Sequence, residues 1–160
     1  MLSNVHSAIL FLILTISILA QTPTPTVSPL SHNDSNQSLD TKFTHTYWKL
    51  ISLFSEEVDS SIMIREAHII FQTLDKGKGK FKGAAGCNAM LGTYQSIENN
   101  LTIDDKHIAM TRMACPEGDV ETNFLKAMHG TVLWQINGNH LAFIDSNSSV
   151  LAEFKAVVSK

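Results

Sequence analysis

Hydrophobic and polar residues alternate in short runs along the second two-thirds of the chain, the period-2 signature of half-buried strands. Tyr47–Leu53 (YWKLISL) is rich in aromatic and aliphatic residues, and His68–Leu74 (HIIFQTL) is bounded by the turn-prone DKGKG. Thr93–Ile97 and Leu101–Ile103 flank Glu98-Asn99-Asn100, which predicts a hairpin. Further on, Val132, Trp134 and Ile136 fall on one face of a strand over Thr131–Ile136. Asn137-Gly138 then offers two residues tolerant of positive φ. Leu141 and Phe143 line the next strand, and Val150–Phe154 forms a last one after the DSNSS loop. This predicts a three-strand meander at the end of the chain.

One segment changes period. Val120, Phe124 and Met128 recur every four residues and make an apolar stripe with Ala127, as on a helix packed against a sheet. Pro116 suits the first helical position, where its missing N–H costs little. Glu117, Asp119 and Glu121 lie at the positive end of the helix dipole, with Lys126 and His129 towards the negative end. Gly130 is placed to cap the helix in the left-handed conformation. Many short strands and one helix predict an α+β domain.

The first forty-odd residues read differently. Ala8–Ala20 (AILFLILTISILA) is an apolar run of about 13 residues. That length fits a secretory signal and falls short of the roughly 20 residues that cross a bilayer as a helix. Residues 1–20 are therefore expected to be a signal peptide, with an uncleaved inner-membrane anchor as the alternative. Residues 21–44 hold three of the prolines and many Ser, Thr, Asn and Asp, too little apolar surface to offset ordering entropy. They are expected to be a disordered linker, leaving 45–160 as the folded domain.

Composition narrows the function. The formal net charge of −3 argues against a nucleic-acid partner, which requires a clear basic excess. The two cysteines, Cys87 and Cys115, favour a disulfide in an exported chain, with two buried free thiols as the alternative. No cysteine follows the apolar run closely, so the chain is not expected to be a lipoprotein there.

The most informative stretches are Gly83-Ala84-Ala85-Gly86-Cys87-Asn88 with Gly92-Thr93-Tyr94, and Met110-Thr111-Arg112-Met113-Ala114-Cys115 just before the helix. Taken with Trp48-Lys49-Leu50, Glu121, Phe124 and Leu141, in that order over about 110 residues, they resemble the META domain family, the family of HslJ-like heat-shock proteins. The resemblance implies a strongly curved antiparallel sheet, or partial barrel, with one helix packed on it. It also implies a place in the bacterial envelope or outside the cell, and links to stress response. It implies no defined reaction and no cofactor.

Each candidate site has a plainer reading. The Gly-Cys-Asn loop could bind a ligand, but a structural turn tied by Cys87–Cys115, with Asn88 satisfying buried backbone groups, explains it as well. Arg112 and Glu121 could form a polar contact beside it. Met110 and Met113, with His107 and Cys115, make a soft-ligand set suited to Cu(I), the alternative function; a disulfide would remove Cys115 from it. Lys76, Lys78, Lys80 and Lys82 would share one face of an extended hairpin and could touch anionic lipid; a solvated, aggregation-resistant edge strand is the plainer account. No nucleophile sits beside a base in a recognisable motif, so no catalytic residue is assigned. The expectation is a non-enzymatic periplasmic or secreted protein that binds an envelope protein or an apolar ligand through its curved sheet.

Overall fold

The computed structural model describes residues 41–115 and 118–157. Its elements run β1 (Tyr47–Leu53), β2 (Glu56–Glu57), β3 (His68–Asp75), β4 (Lys78–Ala84), β5 (Ala89–Ile97), β6 (Asn100–Ile103), β7 (Ala109–Met110), α1 (Gly118–Gly130), β8 (Leu133–Asn137), β9 (His140–Ile144) and β10 (Val150–Val157). The expected signal peptide, most of the expected linker, and Pro116 at the helix start lie outside the described residues.

The sheet follows the order β10-β9-β8-β6-β5-β4-β3-β1, and β10 also pairs with β1, so among the described residues eight strands close into a ring. The closing pair is antiparallel and runs from Tyr47↔Val157 to Leu53↔Ala152. Bulges interrupt β1 between Leu50 and Ser52, β10 between Val150 and Ala152, and β3 between Thr73 and Asp75. Such bulges raise the local twist and bend a flat sheet towards closure. Two joins in the ring are thin. β6 meets β8 at Asn100↔Leu133, and β3 meets β1 only at Trp48↔Ile69 and Lys49↔His68.

Alternate residues of every long strand point inward, and their rings fill the barrel. Phe71 lies 5.0 Å from Tyr94, 6.1 Å from Phe143 and 6.3 Å from Phe81, while Phe143 lies 4.8 Å from Phe154. The two ends are closed by different means. At the end where the turns 76–77, 98–99 and 138–139 lie, Phe43 enters between Phe71 at 4.2 Å and Trp134 at 4.4 Å, both stacked. The Trp48 indole N–H donates to the Phe43 carbonyl at 3.0 Å and fixes the segment. Residues 41–44, assigned to the linker by composition, therefore belong to the fold: one buried aromatic ring outweighs their polar neighbours.

At the other end α1 lays Phe124, Ala127 and Met128 on the barrel, with Phe124 5.7 Å from Phe154. Val120 of the same stripe is half-buried. Gly130 does not take the left-handed conformation expected of it; it stays helical, and Thr131 Oγ1 donates to the Ala127 carbonyl at 2.7 Å instead. A Cβ at Gly130 would lie 2.9 Å from Leu151 Cδ1, so packing is what suits a glycine there. The three-strand meander forms as expected, with its turn one residue later, at Gly138-Asn139, and Val132 exposed ahead of β8. Among the described residues no helix is long and apolar enough to cross a membrane.

Candidate functional site

Strand β4 ends at Ala84, and the chain reverses through Ala85–Asn88, where the Ala85 N–H donates to the Asn88 carbonyl at 3.0 Å. Gly86 sits at φ 91°, a conformation that a side chain would strain. Its carbonyl accepts from the Arg65 N–H at 3.0 Å, which ties in the loop before β3. Cys87 and Cys115 form a disulfide with their Cα atoms 6.1 Å apart. The loop is thus joined covalently to the residues just before α1.

Asn88 is the centre of this end. Its side chain is buried, and its Nδ2 donates to Glu121 Oε2 at 2.9 Å and makes a weak contact with Cys115 Sγ at 3.3 Å. Its Oδ1 accepts from Thr111 Oγ1 at 2.9 Å and from the Met113 N–H at 2.8 Å. An amide has two N–H donors and two acceptor lone pairs, and all four are engaged. Thr111 extends the network, since its Oγ1 accepts from the Ala89 N–H at 3.0 Å. Asn88 has no hydrogen-bonding capacity left for a ligand.

The other residues singled out from sequence serve the core or stand apart. Trp48, Tyr94 and Phe124 are buried, and burial raises the Tyr94 phenol above its usual range, opposed by a hydrogen bond with Thr73. A Cβ at Gly92 would fall 2.6 Å from the Phe81 ring, and one at Gly83 2.1 Å from the His68 carbonyl oxygen. Arg112 is exposed and does not meet Glu121, whose carboxylate is taken by Asn88. The soft-metal set loses its thiolate. Cys115 is spent in the disulfide, His107 Nδ1 is held by the Asp104 carboxylate at 2.9 Å, and Met110 packs on the core. A groove of about 620 Å³ runs past Met110, Arg112, Met113 and Glu121. Around the loop, Ile62, Ile64 and Met113 are each about half exposed.

Sequence reasoning missed a polar cluster on the outside of the thin β1–β3 join. The Tyr47 hydroxyl donates to Glu66 Oε1 at 2.9 Å, Lys49 Nζ lies 2.5 Å from Glu66 Oε2, and the His68 ring stacks on Tyr47 at 4.4 Å. Burial, then the bonded Glu66 carboxylate, pushes the Tyr47 phenol up to about 12. Burial alone would raise Glu66, but the hydrogen bonds from Lys49 and Tyr47 outweigh it and hold the carboxyl below its usual range. The i, i+2 spacing of Tyr47 and Lys49 marks one outward face, but nothing local pairs them with Glu66.

These features define a closed, aromatic-filled antiparallel barrel with one helix, clamped at one end by a disulfide and a saturated asparagine. The META domain family model matches residues 41–158, and the chain belongs to that family. Two solved structures share the fold. One is an NMR structure of a protein from Burkholderia xenovorans (21% identity, TM-score 0.55, covering 89% of this chain and 100% of that one). The other is a crystal structure of a DUF4847 family protein from Bacteroides vulgatus (16% identity, TM-score 0.50, covering 74% of this chain and 96% of that one). No curated protein matches the chain.

Proposed function

We propose that this protein is a non-enzymatic, exported binding module that presents the surface around its disulfide-clamped end to another envelope or extracellular protein. Its setting would be the stress tolerance that the family resemblance implies. The observation that carries this reading is the state of Asn88. The most distinctive motif of the chain spends every hydrogen bond on its own fold, so recognition is left to the surface around it. The aromatic filling of the barrel favours a protein partner over an enclosed apolar ligand. Ile62, Ile64 and Met113 supply an exposed apolar rim suited to that partner. Export is supported by the disulfide, which persists in oxidising compartments, together with the Ala8–Ala20 run.

The test is to express the chain in a bacterium, fractionate the cells and measure the intact mass after thiol blocking. The expected result is an extracytoplasmic protein with no blocked thiol and a new N-terminus after Ala20. In-cell crosslinking should then give a discrete adduct that is lost in Ile62→Asp, Ile64→Asp. Free thiols in a cytoplasmic fraction, or an adduct that survives the double substitution, would refute the proposal.

A further inference from the structure

The lysine run has a setting that the sequence alone does not reveal. Lys78, Lys80 and Lys82 point outward from β4, alternating with the inward Gly79 and Phe81, and Lys76 sits in the turn before them at φ 45°. β4 is no edge strand. It is paired on both sides, with β3 from His68↔Ala84 to Asp75↔Lys78 and with β5 from Lys78↔Gln95 to Ala84↔Ala89. Protection of an edge from aggregation therefore cannot explain these lysines.

The outward neighbours form rows across the sheet. Ile70, Lys82 and Leu91 make one, Gln72, Lys80 and Thr93 the next, and Lys78, Gln95 and Thr102 the third. The first two rows carry no carboxylate, while the third continues on β3 to Asp75, the register partner of Lys78. The other acids nearby are Glu98 in the turn after β5 and Asp104 beyond Thr102, and Asp104 is engaged by His107. Among the described residues, none of the four lysines has an ion-pair partner, although the whole chain is acidic at −3. Leu91 and Ile97 lie on the same face, 59% and 58% exposed. Successive lysines are about 7 Å apart, from the rise of a strand.

From this geometry we infer that the outer face of β3–β6 docks the protein on an anionic phospholipid surface. Lysines meet headgroup phosphates, and Leu91 and Ile97 enter the boundary between headgroups and acyl chains. A face on which four lysines without ion pairs outnumber the acids and stand beside exposed aliphatic side chains is complementary to such a surface in charge and in polarity. It is independent of the partner site proposed above, on different residues, and it is testable without knowing where the protein resides.

The experiment is lysine acylation footprinting of the full chain, read by mass spectrometry, with vesicles of phosphatidylglycerol and phosphatidylcholine or of phosphatidylcholine alone. Acylation of Lys78, Lys80 and Lys82 is expected to slow severalfold on the anionic vesicles only. Lys126 and Lys155 on other faces should react unchanged. The preference for anionic over neutral vesicles should fall on the order of a hundredfold in Lys78→Gln, Lys80→Gln, Lys82→Gln; comparing the two vesicle types cancels any insertion of the N-terminal apolar run. Unprotected lysines on bound protein, a triple variant that keeps the preference, or equal protection by dissolved inorganic phosphate would each overturn the inference.

Discussion

The two ends of this barrel are closed by opposite means. At one end Phe43 slots between Phe71 and Trp134, a non-directional closure made of stacked rings and one indole hydrogen bond. At the other, three irregular segments converge under α1, and their backbone groups require directional partners. Asn88 and Thr111 supply those, and Cys87–Cys115 fixes the arrangement covalently. An aromatic plug works in any aqueous compartment. The clamped end depends on one that oxidises thiols, so only that end couples the fold to where the protein resides.

The largest effect should come from removing the plug. Phe43→Ala deletes a buried ring and three ring contacts and should cost about 3–5 kcal/mol in a urea titration. Native-state hydrogen exchange should show the loss at the Phe43 end, with the Asn88 loop still protected. Exchange that accelerates first at the Asn88 loop would show that the ends are not independent.

Replacing both cysteines by serine should cost about 3 kcal/mol, since the bond spans a sequence separation of 28 residues. Reduction of the wild type should match it, and both should loosen the loop at 85–88 before the barrel. Asn88→Ala should cost roughly 2–3 kcal/mol with the disulfide intact, because it leaves the Glu121 carboxylate and the Met113 N–H unpartnered. Equal stability of Asn88→Ala and wild type would mean that water replaces the amide and that the hub is not structural.

The smallest effect lies on the wall between the ends, at Tyr47. Its phenol is raised from the usual 10 to about 12 in the folded chain. The unfolded chain therefore ionises first, and stability present below pH 10 should fall progressively between about 10 and 12. Tyr47→Phe should remove that contribution and also weaken the acid limb from the depressed Glu66, since the Tyr47 hydroxyl helps hold that carboxyl down and only the Lys49 bond remains. An unchanged alkaline slope in the variant would assign the loss to another group.

Local chemistry was legible along the chain. The alternation in β1, β8, β9 and β10, the stripe of Phe124, Ala127 and Met128, and the motif around Cys87 and Cys115 all follow from spacing within a few residues, because pleat and helix impose fixed periods. What only the tertiary structure decided is every contact between distant segments. Composition placed Phe43 in a linker, and it became part of the core once Phe71 and Trp134 formed a slot for it. The ring closes because Tyr47 meets Val157, and Ser52 Oγ meets Glu153 at 2.9 Å, 101 positions along the chain. The four partners of Asn88 come from positions 111, 113, 115 and 121, which nothing near position 88 announces. β4 looked like an edge because its lysines resemble a solvated border, and it proved interior because pairing belongs to the neighbours, not to the strand itself. Periodicity is a property of a segment, whereas closure and burial are properties of the whole chain.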